Sequence, residues 1–297
     1  MLAPTPVSPA RAGVGAAPSP PARSFTRSAG PVNAPRTVIV VNGGPGLDSQ
    51  FTFRGLKGLA SGSRRVVAYD QRGVGRTPMP QSGTTLNPDY TIDALVADLE
   101  ALRLRLGVDR IDVLGHSFGA LIGAAYAATH PGKVRTLILV SGLPMSVKAQ
   151  REGDARFEER LDALQSQGIV PKAVPELCAA RNQALLPVYV GDPSRASAIG
   201  AALGPSRCDD SVAVVVNESI VNDPRRPVLE RALARYRGQA LVVIGAHDPF
   251  GAVWADDAAM PLRSARLTKR VLPNAGHFLW LESPIFLPLL RSFLNRT

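Results

Sequence analysis

Ser117 lies in Gly115-His116-Ser117-Phe118-Gly119, a G-x-S-x-G string with a β-branched apolar run before it and a small-residue helical pattern after it. A serine on a sharp strand-to-helix turn has its hydroxyl lifted clear of the backbone, at a helix N-terminus that favours developing negative charge. The flanking glycines remove side chains that would clash in so tight a turn. The arrangement predicts that Ser117 is a nucleophile for acyl transfer.

A serine nucleophile needs a base, and the base needs an acid to orient it. The chain has four histidines. His116 sits in the turn itself, where its side chain is expected to point away from Ser117. His130, in Thr129-His130-Pro131-Gly132, belongs to a helix stop, and His247 precedes the best acid. His277 follows the last apolar strand pattern, at the sheet end where an open α/β sheet gathers its functional groups, and is the predicted base. Asp248 directly follows the preceding strand, in Gly245-Ala246-His247-Asp248-Pro249, and is the predicted acid. Asp256 and Asp257 fall in the helical stretch beyond it. An oxyanion hole requires two backbone N–H donors. One is expected from Phe118 and the other from Asn42-Gly43-Gly44-Pro45-Gly46, where Pro45 has no N–H. Either Gly43 or Gly44 serves, with Gly44 preferred. No Lys-Ser or Lys-Thr follows this loop at phosphate-binding spacing.

These groups must be carried by a scaffold, and the apolar runs supply it. Residues 37–41, 65–69, 110–114, 136–140, 240–244 and 266–272 read as strands, the first five apolar on both faces as in a buried parallel sheet. Ile92, Leu95, Val96, Leu99, Leu102 and Leu106 fall on one face at the 3.6 period, with Thr91 as N-cap and Gly107 as stop. Residues 121–128 predict a second helix. A closing helix is expected over 283–296, with Ser283 as cap and Pro284 at its first position. The fold class is therefore α/β, a mostly parallel central sheet flanked by helices. Between residues 144 and 237 strand patterns give way to charged, proline-broken helical ones, which predict a helical cap insertion. The expected organisation is a flexible Pro/Ala-rich leader over 1–35, a core over 36–143 and 238–297, and the cap over 144–237.

The 297 residues carry a formal net charge of +10. The arginines that dominate this charge are spread along the chain without a block of like charge, so neither a nucleic acid nor a membrane partner is expected. The apolar stretch from Val113 to Thr129 falls just short of the ~20 residues of a membrane span, and its Gly115, His116, Ser117 and Gly119 read as a turn. The N-terminus has no basic segment followed by an apolar run, so a cytoplasmic location is expected. Cys178 and Cys208 allow at most one disulfide and exclude a disulfide scaffold.

Taken together, Asn42-Gly43-Gly44-Pro45-Gly46, Asp70-Gln71-Arg72-Gly73-Val74-Gly75-Arg76-Thr77 and the Ser117 turn resemble the α/β-hydrolase superfamily, and within it the proline iminopeptidase branch of serine peptidases. The resemblance covers about residues 36–297. It departs at Asn42, where that branch has His, and in G-H-S-F-G, where it has G-G-S-W-G. It implies an α/β-hydrolase fold and a Ser117–Asp248–His277 triad with no metal or organic cofactor. It also implies a small-molecule or short-peptide substrate cleaved at its N-terminal residue. Cap glutamates of that branch bind the substrate's free amine. Glu218, in an otherwise apolar run from Val212 to Val221, is the candidate here, its other reading being an ion pair with an arginine such as Arg225. The alternative functions are an esterase, lactonase or amide hydrolase acting on a small metabolite, and a non-catalytic binding module.

Overall fold

The computed structural model describes residues 23–78, 90–221 and 223–297. Among the described residues seven strands form one sheet in the order β1-β3-β2-β4-β5-β6-β7. They are β1 (Thr26–Ala29), β2 (Arg36–Val41), β3 (Arg64–Tyr69), β4 (Ile111–His116), β5 (Val134–Val140), β6 (Gln239–Gly245) and β7 (Arg266–Leu272). All neighbours are parallel except β1, which pairs antiparallel with β3. The inner strands bury both faces, which explains their unbroken Val/Ile/Leu runs.

The expected leader overlaps this sheet. Residues 26–29 form an edge strand, so part of the 1–35 segment belongs to the fold; residues 1–22 lie outside the described residues. β1 is short and half-exposed, and it has no apolar run to announce it. Its Arg27 reaches across the sheet edge to the buried Asp70 carboxylate at 2.6 Å and to Ser49 Oγ at 2.7 Å.

Helices cover both faces of the sheet. α1 spans Gln50–Leu56, and α2 spans Ile92–Arg105 with the Thr91 side chain capping the Ala94 N–H. Such a cap stabilises a helix by about 1 kcal/mol. α3 (Phe118–Thr129) is buried along nearly its whole length, its alanines and glycines letting it lie close against β4 and β5. Between β5 and β6 lie the α-helices α4 (Val147–Ser166), α5 (Cys178–Tyr189), α6 (Ala196–Leu203), α7 (Asp210–Val221) and α8 (Arg226–Leu233). α8 packs along α3 and therefore covers the sheet, whereas α4, α5 and α6 pack on one another and against the elements that follow the strands. Cys178 and Cys208 are joined as a disulfide that ties the start of α5 to the segment before α7. α9 (Ala252–Ala259) follows β6. After β7 come α10 (Leu279–Glu282) and α11 (Phe286–Arg296). The closing helix thus begins at Phe286; Ser283 and Pro284 lie in the turn before it, where the Phe286 N–H bonds the Ser283 carbonyl. Among the described residues no helix is long and apolar enough to cross a membrane.

Candidate active site

β4 ends at His116 and α3 begins at Phe118, so Ser117 alone makes the turn. Its φ of 53° and ψ of −123° are strained for a residue with a Cβ, at a cost on the order of 1–3 kcal/mol. The strain is enforced from all sides. The Ser117 N–H is bonded to the Val140 carbonyl at 2.9 Å, and its carbonyl accepts from Ala120 and Leu143. A Cβ on Gly119 would run into the Val41 carbonyl and lie 2.6 Å from that of Asn42. One on Gly115 would lie 2.6 Å from Ala120 Cα. The two glycines of the motif are thus required by backbones crossing at the turn.

The loop after β2 meets this turn edge on. A Cβ at Gly43 would sit 2.6 Å from Ser117 Cβ and 2.8 Å from the His116 carbonyl oxygen. Gly44 adopts a φ of 67° and faces Leu47, whose N–H closes the turn onto the Gly44 carbonyl at 2.9 Å. The close contact with the serine therefore belongs to Gly43. Phe118 is the first residue of α3, so its N–H has no carbonyl one turn back within the helix. The Asp70–Thr77 loop holds the glycine loop from below. Gln71 Nε2 donates to the Asn42 carbonyl at 3.0 Å, and Asp70 Oδ1 accepts from the N–H and hydroxyl of Ser49 at 2.9 and 2.7 Å. Arg72 is buried and forms a two-point pair with Asp98, 2.7 Å at each bond. Breaking such a pair typically costs about 3–5 kcal/mol, so this loop is firmly anchored.

On the other side of the turn, His277 Nδ1 and Asp248 Oδ2 are 3.0 Å apart, with both side chains almost fully buried. The other Asp248 oxygen accepts the Phe250 N–H at 3.1 Å, which fixes the carboxylate plane. The loop carrying Asp248 and the one carrying His277 are zipped together, His247 N–H to the Ala275 carbonyl at 2.9 Å. The His277 ring is packed among Tyr189, Phe250 and Phe278, with ring centroids 5.3–5.7 Å away. Phe157 of α4 extends this aromatic wall, stacking on Phe250 at 5.4 Å. Burial pushes the Tyr189 phenol up to about 12, helped by the negative charges of Asp248, Asp154 and Glu158.

The structure thus places Gly43 against the Ser117–Phe118 turn and pairs Asp248 with His277. Among the described residues Ser117 Oγ has no hydrogen bond to His277; the link between the two segments is His116. It is buried, its ring centroid lies 4.8 Å from that of His277, and its Nε2 is 3.1 Å from the His277 carbonyl oxygen. A carbonyl only accepts, so Nε2 carries the proton and Nδ1 is the bare nitrogen. Burial, and then the neighbouring His277, hold the His116 pKa well below the ordinary histidine value, so the ring is neutral. Sequence reasoning read His116 only as pointing away from Ser117 and missed this bond.

Glu218 is not among the assembled residues. It lies on the exposed side of α7, whose inward face is Val212, Val216 and Ile220. A carboxylate in water needs no partner, which removes the reason for singling it out. Arg225 pairs instead with Asp93 at 3.2 Å. Asp256 and Asp257 are likewise elsewhere, Asp257 accepting the Ser146 N–H and Asp256 pairing with Lys269. Glu282 was overlooked: its buried carboxylate accepts the N–H groups of both Gly276 and Phe278.

A family profile described as the alpha/beta hydrolase fold matches residues 36–187. The chain belongs to the α/β-hydrolase fold family. Among α/β hydrolases it is similar to the proline iminopeptidase of Heyndrickxia coagulans, 41% identical over 104 residues, which are 35% of this chain and 34% of that protein. It is also similar to the putative carbamate hydrolase RutD of Escherichia coli O157:H7, 35% identical over 131 residues, 44% of this chain and 47% of that protein. These matches span about a third to a half of the curated relatives' length. A crystal structure of a proline iminopeptidase-related protein from Thermus thermophilus superposes over 95% of this chain and 97% of its own, with a TM-score of 0.68 and 25% identity. The α/β-hydrolase expected from the motifs is thus the α/β-hydrolase found.

Proposed function

We propose that this α/β hydrolase is a serine hydrolase that removes an N-terminal residue from peptides or aminoacyl amides through an acyl-enzyme. The observation that carries the reading is the strained Ser117 turn lying beside a buried His277–Asp248 pair. Ser117 Oγ attacks the substrate carbonyl, and His277 Nε2 takes its proton. Asp248 holds the ring by its Nδ1–H and balances the charge that forms on it. The oxyanion is met by the Phe118 N–H and by a glycine of the 42–46 loop. Gly44 is the donor first expected, and Gly43, which touches the serine, is the other. His277 then protonates the leaving amine, and water, activated by the same base, releases the acyl group. The aromatic wall of Phe157, Tyr189 and Phe250 suits an apolar acyl side chain.

A free α-amine on the substrate calls for a carboxylate. Asp154 and Glu158 of α4 are exposed, as Glu218 is, but their charge acts on Tyr189, whose ring lies against His277, and this makes them the candidates. The second reading, hydrolysis of an ester or carbamate of a small metabolite, is favoured by the stretch shared with the protein named a carbamate hydrolase. Kinetics on aminoacyl arylamides, N-acetylated arylamides and simple aryl esters, with Ser117→Ala as control, separate the two. The proposal expects free-amine arylamides to be the best substrates; a preference for esters indifferent to the amine would replace it with the second reading.

A further inference from the structure

His277 is held by its backbone as much as by Asp248, and the holder is one side chain. Glu282, the last residue of α10, is buried, and its carboxylate accepts three backbone N–H groups. Gly276 donates to Oε2 at 3.0 Å and Phe278 to Oε1 at 3.0 Å, so the peptide is gripped immediately before and immediately after the histidine. The third donor, Gly191, bonds Oε2 at 2.6 Å and comes from the residues just beyond α5. The His277 N–H itself donates to the Tyr189 carbonyl, the last residue of α5, at 2.8 Å. The two backbones approach so closely that a Cβ on Gly276 would run into Gly191 N and the Tyr189 oxygen. Arg160 of α4 closes the junction with bonds to the Val190 carbonyl at 2.6 Å and the His247 carbonyl at 3.3 Å.

We propose that Glu282 is a positioning residue for His277, setting the direction of the imidazole by clamping the peptide on both sides of it and tying that peptide to the end of α5. A carboxylate offers acceptors on both oxygens, which three donors require. Hydrogen bonds to a charged acceptor are about twice as strong as neutral ones, so the clamp is stiff enough to resist rotation of the loop. Glutamine at this position keeps the shape but turns one end into a donor facing a donor. The Gly276–Phe278 segment then swings, and the imidazole it carries turns with it. The helices between β5 and β6 accordingly act as part of the base's mounting. This inference rests on the reading of His277 as the base.

The test compares Glu282→Gln with His277→Ala and with Leu290→Ala, a buried α11 change outside the hydrogen bonds of the clamp. Turnover of the best arylamide or ester, and the rate at which a neutral fluorophosphonate labels Ser117, are measured across pH. Misplacement on the order of 1 Å costs up to about 100-fold, so Glu282→Gln should lose 10- to 100-fold in kcat and in labelling rate with KM changed less than about threefold. The midpoint of its labelling profile should move as the His277–Asp248 bond loosens. Leu290→Ala should lower Tm comparably and leave kcat and the midpoint in place. If His277→Ala is inactive while Glu282→Gln keeps wild-type kcat and midpoint, the clamp is overturned and the base assignment survives. If His277→Ala is active, the base assignment itself fails. Should Glu282→Gln not fold, Gly191→Ala, whose Cβ would lie 2.9 Å from Gly276 N, perturbs the same junction. A wild-type kcat in that variant also overturns the clamp.

Discussion

His116 and His277 are joined by the Nε2–H of the first and the backbone carbonyl of the second, 3.1 Å apart. One bond thus couples the residue before the serine to the residue proposed as its base, and it does so with a ring kept neutral by burial. Replacing His116 by Phe keeps a ring but deletes the donor and leaves a buried carbonyl unpaired, at a cost of about 1–3 kcal/mol. His116→Phe should lower Tm by several degrees and kcat more than KM. Thermal melts and steady-state kinetics check this; unchanged values of both would show that the bond does nothing.

Gly43 should be intolerant of any side chain. Alanine there would place Cβ 2.6 Å from Ser117 Cβ and 2.8 Å from a backbone oxygen, neither of which moves cheaply. Gly43→Ala is expected to abolish most turnover while circular dichroism stays native. Full activity would mean that the loop relaxes and does not frame the oxyanion.

Asp248→Asn should be severe, up to about 10⁴-fold in kcat, because the amide favours the wrong tautomer of the histidine. Asp257→Asn should be nearly silent, since that carboxylate faces Ser146. The reverse pattern in parallel kinetic assays would reassign the acid.

Substrate amine recognition separates α4 from α7. Asp154→Asn should reduce kcat/KM for free-amine arylamides about tenfold or more and leave N-acetylated ones unaffected, a charge-assisted contact contributing about 1.5–3 kcal/mol. Glu218→Gln should change neither, because it is the charge of Asp154, and not that of Glu218, that acts on Tyr189 beside His277. Selective loss in Glu218→Gln would restore the original assignment.

Glu100 gives a pH-dependent term to stability. Arg103 bonds its carboxylate at 2.8 and 2.7 Å, and Tyr126 donates to it at 2.6 Å. The Arg103 bond first, and Tyr126 after it, lower its pKa from 4.5 to about 2. A carboxyl depressed in the folded state binds its proton more readily when unfolded. Its stabilisation is therefore full above pH 4.5 and is lost as pH falls towards 2. Denaturant titrations at pH 5 and pH 3 should show a smaller drop in Glu100→Gln than in wild type; equal drops would exclude Glu100 as a source.

The strands of the core were legible because burial on both faces leaves runs such as Val38–Val41 and Leu137–Val140, which need no context. The Ser117 turn was legible because backbone crossings at Gly115 and Gly119 permit no other residue. β1 was not, since four half-exposed edge residues obey no pattern. Glu218 misled for a geometric reason. Val212, Val216 and Ile220 repeat every four residues, and position 218 falls midway round the helix, so an acid within an apolar run was still an acid in water. Glu282 was the converse: its partners are backbone N–H groups delivered by folding, which side-chain types do not reveal.

The central claim is that Ser117 is the nucleophile, activated by His277. Treating wild type, Ser117→Ala and His277→Ala with a fluorophosphonate probe and mapping the adduct by mass spectrometry tests it most directly. The expected result is one adduct on Ser117 in wild type, none in Ser117→Ala, and labelling slowed by several orders of magnitude in His277→Ala. Labelling that persists in Ser117→Ala, or that proceeds at the wild-type rate without His277, would contradict it.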